Sequence, residues 1–459
     1  MGNTSDEETP RAFVADDVAP GIKISGIGDS RYYDAKGNKL FTNDVNVTVT
    51  ITDKKSGIGS VGSYINSENG GYERRGITIG GTNISEGDEL GDGWIVSETD
   101  ANLVTEIAKT FIFDKDDNDI TLTFDAADNS GNVVGFIQSE TFTIDKTAPV
   151  INADISAGIN NTIYYNAENR AVLTIDVIER NFDPGLIQAT IENTFNGNIP
   201  YISFQDLSAT EHRAVITFSE GDYTFDIRGA DLGGHSAEVN LDYEKVRRFF
   251  VDETAPLVEE NFSDFVNRDK DNYLNTKKTA VIKITEHNFD PDLVGLKILR
   301  KDAGTEHSEN EFTDVTYSVA SMSDWSDNND THTLSVEFDE DAVYRIEIYP
   351  SDPSGNTSEY RSSEIFEIDT TLPVASAKNG SLVDDNNAVE FLDIYPYSRK
   401  DEDAPTVEFT DVNFDYIKYS LTVYTPEYKN GRELSEVKPV NVYLDSDKEK
   451  SGIFRKEMF

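Results

Sequence analysis

One phrase recurs along this chain: Asp145-Lys-Thr-Ala-Pro149, Asp252-Glu-Thr-Ala-Pro256 and Asp369-Thr-Thr-Leu-Pro373, with a weaker copy at Asp16-Asp-Val-Ala-Pro20. The copies stand roughly 105–130 residues apart, too long a period for a solenoid unit and the right length for a small β-sandwich. A chain built this way is a string of similar domains. The phrases place a preceding tail at 1–19 and domains at 20–147, 148–254, 255–371 and 372–459.

Within each domain the apolar residues alternate. Val45, Val47, Val49 and Ile51 set the phase of a first long strand, matched by Leu173, Ile175 and Val177, by Ala280, Ile282 and Ile284, and by Val407 and Phe409. A later strand repeats the pattern through Ile120, Leu122 and Phe124, then Tyr223, Phe225 and Ile227, then Tyr344, Ile346 and Ile348. Period two is the signature of a strand with one face on a core. Asn69-Gly70, Asn196-Gly197 and Asn430-Gly431 are expected to turn hairpins, with Ala303-Gly304 in the same place in the third domain. The strongest helical candidate is a short stretch around Leu103, Val104 and Ile107. The expected class is therefore all-β.

Three phrases resemble those of the bacterial Ig-like domains of large repetitive Gram-positive surface proteins. They are the Asp-x-Thr-x-Pro junction, Asp53-Lys-Lys-Ser-Gly-Ile58, and the Asp-x-Ser-Gly-Asn ending seen at Asp128–Asn132 and Asp352–Asn356. The resemblance covers nearly the whole chain. It implies tandem Ig-like β-sandwiches joined by short linkers, in an extracellular protein that is surface-bound or secreted. The fourth domain stops before a Tyr-led strand, and Ala12-Phe-Val-Ala-Asp16 reads as the last strand of an earlier domain, so a piece of a longer polypeptide is expected.

Charge and composition narrow the function. A net charge of −46 repels nucleic acid and anionic membranes and favours cations. With no Cys there are no disulfides, thiol nucleophiles or thiolate metal sites. No apolar run approaches the roughly 20 residues a membrane span needs. The five His do not cluster at a metal-ligand spacing, and no nucleophile–base motif occurs. Gly57-Ile-Gly59-Ser-Val-Gly62 fits the dinucleotide fingerprint, but a strand follows where a helix is required, so a turn is expected. Asp114–Asp119 resembles half of an EF-hand loop without its Gly and final Glu, and reads as an acidic hairpin turn. Trp94 and Trp325 lie between the common strands, as loop anchors or as ligand platforms.

The most specific chemical signal is parity. Ile51 is followed in phase by Asp53, Val177 by Glu179, Ile284 by Glu286 and Phe409 by Asp411; the later strands run on to Asp128, Asp231 and Asp352. Each strand ends with a carboxylate where the core face would continue. Three of the domains add Glu179-Arg-Asn181-Phe-Asp183, Glu286-His-Asn288-Phe-Asp290 and Asp411-Val-Asn413-Phe-Asp415, a phrase the first domain lacks. On an Ig-like sandwich the loops after these two strands share one end with the incoming linker. Asp145, Glu179, Asn181, Asp183 and Asp231 are then expected to converge in the second domain, and Asp252, Glu286, Asn288, Asp290 and Asp352 in the third. Two readings of these groups stand side by side. Hard oxygen donors in such number suit Ca²⁺, which takes about 6–8 of them. The same residues also build turns by accepting loop N–H groups, with no ion. On the calcium reading the first domain, without Asn-Phe-Asp, should bind weakly or not at all.

These features point to a non-enzymatic stalk or adhesive segment of a bacterial cell-surface protein, with Ca²⁺ as the one ion implied and a protein or glycan as its ligand class. The alternative is an accessory Ig-like region of a large secreted enzyme whose catalytic domain lies elsewhere.

Overall fold

The computed structural model describes residues 15–378 apart from 71–74, 82 and 321–323, then residues 406–413, and beyond them five strands, Tyr419–Val423, Tyr428–Lys429, Arg432–Glu433, Val440–Leu444 and Gly452–Glu457. The described residues are almost entirely strands and turns. Helix is confined to single 3₁₀ turns and two four-residue turns, Tyr243–Val246 and Thr316–Val319. No helix among them is long and apolar enough to cross a membrane. The chain divides into two compact units, 1–251 and 252–459.

The first unit holds two separate cores. One is enclosed between a sheet ordered Gly21–Ser25, Val45–Thr52, Leu103–Phe113, Ile95–Asp100 and a second sheet built around Phe142–Ile144, Asp117–Asp128 and Ile58–Asn66. The alternation in Val45–Thr52 decides its orientation: Val45, Val47, Val49 and Ile51 are buried and meet Ile120, Leu122 and Phe124 of the opposite sheet in one cluster. Each such side chain contributes about 1.5–3 kcal/mol on burial.

Leu103–Phe113 is a strand, not the expected helix. It pairs with Val45–Thr52 along its length and forms a hairpin with Ile95–Asp100 through Ala101 and Asn102, both at positive φ. Register shifts in that hairpin bury Val104 and Thr105 in succession, which breaks the period-two signal and imitates a helical one. The acidic stretch Asp114–Asp116 is likewise not a hairpin turn. It carries the chain from Leu103–Phe113 in one sheet to Asp117–Asp128 in the other.

The second core lies between the sheet Gln205–Asp206, Glu211–Thr217, Val172–Ile178, Val150–Ile155, Glu238–Leu241 and the sheet Tyr164–Tyr165, Phe249–Val251, Gly221–Gly229, Ile187–Asn193. Asn196-Gly197 does not close a hairpin either, because the strands on its two sides belong to different sheets. Phe218, Tyr223 and Phe249 fill the core's centre, with ring centroids 4.8–5.4 Å apart.

The second unit repeats this plan. Leu257–Glu260, Lys278–Thr285, Thr331–Phe338 and Ser326–Asn328 form one sheet, and Tyr273–Leu274, Phe366–Ile368, Ala342–Ile348, Lys297–Asp302 and Thr313–Asp314 the other. Phe338, Tyr344 and Phe366 form the equivalent aromatic triplet. The loop at Ala303-Gly304 returns the chain antiparallel from Lys297–Asp302 to Thr313–Asp314, as expected. Further along, Val374–Lys378 pairs with Thr406–Asp411, which pairs with Gly452–Glu457. Asn430-Gly431, Asp415 and the segment before Ala15 lie outside the described residues.

Candidate functional site: carboxylates where linkers enter the repeats

The in-phase acids do meet. In the second unit Asp252 after Phe249–Val251, Glu286 after Lys278–Thr285 and Asp352 after Ala342–Ile348 each bring a ligand atom within 4.8 Å of the others, and all three residues are buried. In the first unit Asp145, Asp231 and His235 form the same kind of group, as do Asp16, Asp53 and Asp128. The cause is the strand phase: a residue that follows a buried row in register stays on the buried face, whatever its charge.

What meets these acids is mainly amide. Asn288 Nδ2 donates to Asp252 Oδ2 at 3.5 Å while its backbone N–H donates to Glu286 Oε1 at 2.8 Å. Asn181 does the same in the preceding repeat, to Asp145 Oδ2 at 3.0 Å and Glu179 Oε1 at 2.6 Å. Asn413 repeats it a third time, to Asp369 Oδ2 at 2.9 Å and Asp411 Oδ1 at 2.7 Å. The second loop adds its own lock. Asn356 donates its backbone N–H to Asp352 Oδ1 at 3.0 Å, and its amide to Asp352 Oδ2 at 3.0 Å and to the Asp252 carbonyl at 2.9 Å. Asn132 makes the matching bonds to Asp128 and to the Asp16 carbonyl.

Asp183 and Asp290 stand apart from these groups. Each caps a 3₁₀ turn, accepting from Gly185 N at 2.8 Å and from Asp292 N at 3.0 Å. The Asp-Pro step after each favours this local use, since the carboxylate then takes an N–H two residues on.

Three residues in this neighbourhood carried no sequence signal of their own. His235 takes the place of the loop Asn, with its backbone N–H on Asp231 Oδ1 at 2.8 Å and Nδ1 on Oδ2 at 2.9 Å. His212 and His332 lie under the Asn-Phe-Asp phrase. Nε2 of each bonds the carbonyl of the strand-end Glu, at 2.8 Å from Glu179 and 2.9 Å from Glu286, and each ring stacks on the Phe of the phrase. The two Trp act as anchors: Trp94 is buried against Phe124, and Trp325 packs edge-on to Phe289.

Electrostatics divides the groups. Burial pushes Glu179 up to about 7, and the charges of Asp145 and Asp231 push the same way against the Asn181 N–H. Burial likewise raises Glu286 to about 7, with Asp252 and Asp352 adding to it, and Asp352 to about 6. These two groups hold a proton near neutral pH. In the first repeat the balance reverses: burial raises Asp128, but hydrogen bonds, chiefly those from Asn132, outweigh it and hold the carboxyl below its usual range. Asp53 Oδ1 there accepts three N–H groups, from Lys55, Ser56 and Gly57.

No family model and no curated protein matches this chain. Its chemistry is therefore read from the geometry. A carboxylate-rich group of this kind can accept N–H donors, share a proton or hold a hard cation.

Proposed function

We infer that the chain is a non-enzymatic stalk or adhesive segment of a bacterial cell-surface protein, built of Ig-like β-sandwiches whose linkers are locked into the repeat that follows. One observation carries the reading. Asn181 donates to the linker carboxylate of Asp145 while its own oxygen accepts from Asn118 of the preceding repeat at 3.1 Å. One side chain thus ties together a domain, the linker and the next domain. Around it, Arg180 donates to Asn69 at 3.1 Å, Lys146 pairs with Asp44, and Thr147 bonds Asp116. A linker fixed at several points swivels less than one joined only through its backbone.

The mechanism is mechanical. Hydrogen bonds to ionised groups contribute about 1.5–3 kcal/mol each, so a junction with several resists bending without a large apolar interface. The charge of −46 keeps such a chain soluble and holds other copies away. Calcium at the second and third clusters would have to displace an Asn amide and a proton, so hydrogen-bonded turns are the reading favoured there.

Small-angle scattering on the whole chain tests the junction. Asn181→Ala should broaden the distribution of interatomic distances relative to the parent, with the far-ultraviolet spectrum unchanged. An identical distribution would remove the lock as the basis of the stalk reading.

A further inference from the structure

The repeats differ in one place. In the second, third and fourth, an Asn amide reaches Oδ2 of the linker Asp. The first repeat has Lys55-Ser56 where the others have Asn-Phe: the Lys55 N–H repeats the Asn N–H on the strand-end acid, but its side chain offers an ammonium 3.9 Å from Asp16 Oδ1 and no amide. The consequence falls on Asp16. Its side chain is fully buried. Oδ1 accepts from Val18 N at 3.0 Å and lies 3.9 Å from the half-exposed Lys55 ammonium, which is shared with Asp17. Oδ2 is buried and has no hydrogen-bond partner.

A buried carboxylate oxygen without a donor loses its hydration and gains nothing in return. Here it stands in a group with Asp53 and Asp128, a carboxylate oxygen of each residue lying within 4.8 Å of the others. Three carboxylates in one small space repel unless a positive charge joins them. The surrounding N–H donors are spent elsewhere: those of Lys55, Ser56 and Gly57 converge on Asp53 Oδ1, and Asn132 serves Asp128. Carboxylate oxygens and the buried Ser56 hydroxyl line the group, with the half-exposed Lys55 ammonium at its edge.

We propose that Asp16, Asp53 and Asp128 form a site for one divalent hard cation of the Ca²⁺ class, which fills at the first repeat the role an Asn amide fills at the others. The ion ties the incoming segment at Asp16 to the loops after Val45–Thr52 and Asp117–Asp128. Three carboxylates, loop oxygens and water supply the about 6–8 oxygens Ca²⁺ takes. This reverses the order the motif suggests, in which the repeat without Asn-Phe-Asp is the poorest binder. It stands independently of the stalk reading.

The test is calorimetric titration of CaCl₂ into the full chain after chelator treatment, at neutral pH. The expected result is one ion per chain, with affinity falling roughly tenfold or more in Asp16→Asn and unchanged in Glu179→Gln and Glu286→Gln. Hydrogen exchange on the parent chain gives a readout that needs no variant. Calcium should slow exchange at the amides of 16–18, 53–57 and 128–132 and leave 179–183 and 286–290 as they were. No binding heat, parent-like affinity in Asp16→Asn, or protection confined to the second and third clusters would each overturn the proposal.

Discussion

The ring of His332 lies face to face on Phe289, with centroids 3.9 Å apart and planes 8° from parallel. In the preceding repeat His212 lies on Phe182 at 4.0 Å and 14°. Each His is paired across the sheet with the last buried residue of the first long strand, Ile284 or Val177, and bonds the carbonyl of the acid that follows it. The stack therefore holds the strand-end Glu where the cluster needs it.

Removing the stack should loosen one repeat and spare the others. Phe289→Ala deletes a half-buried ring and leaves a gap beneath the Asn-Phe-Asp turn, at a cost of about 2–4 kcal/mol. Residue-resolved hydrogen exchange should show faster exchange through 257–368, with rates in 21–144 unchanged. A uniform change across both regions would mean that the ring does not act locally.

Acid should stabilise the second and third repeats, the opposite of ordinary salt-bridged carboxylates. Glu179 rises from 4.5 in the unfolded chain to about 7 in the folded one. The folded state thus holds the proton more tightly. That contribution is complete below pH 4.5 and is lost as pH climbs through 7. Each pH unit between the two values corresponds to about 1.4 kcal/mol. With solvent screening of the partly buried carboxyl taken into account, the loss is roughly 1–3 kcal/mol per repeat. Melting in chelator should give a parent chain less stable at pH 8 than at pH 5. Glu179→Gln should match the parent at pH 5 and exceed it at pH 8. A parent that gains stability across this range would contradict the assignment.

The strand phase and the meeting of the acids are legible in the sequence because both follow from period-two geometry: once Val45 to Ile51 face inward, Asp53 must follow. The histidines are not. His212 and Glu179 are 33 residues apart, whereas His332 and Glu286 are 46 apart, since the intervening loops differ in length. No fixed spacing exposes their equivalence. Asp183 and Asp290 resemble cluster members by composition alone; only the Asp-Pro step marks them as local caps. The strand at Leu103–Phe113 is hidden by register shifts against its partner. Most telling is Asp16: its isolation comes from an amide that the first repeat lacks, and a missing donor shows only when the cluster is seen in space.

The caps at Asp183 and Asp290 give a control for the cluster. Asp183→Ala should cost about 0.5–2 kcal/mol, the range for a lost capping oxygen. It should leave the pH dependence of the second repeat as in the parent, because Glu179, Asp145 and Asp231 are untouched. A variant that also flattens the profile between pH 5 and 8 would return Asp183 to the cluster.

His235 offers a gain rather than a loss. At this position Asn132 and Asn356 use two amide hydrogens, one on the loop Asp and one on the linker carbonyl at Asp16 or Asp252. The imidazole Nδ1 of His235 has one hydrogen at most, and it faces Asp231. His235→Asn keeps the bond to Asp231 and adds a donor aimed at the Asp145 carbonyl. One new intramolecular hydrogen bond is worth about 0.5–1.5 kcal/mol. The second repeat should melt higher by that amount, with exchange slowed at the amides of 145–149 and unchanged in the third repeat. A variant that melts lower, or gains stability without protecting the linker, would show that the loop Asn stabilises only its own turn.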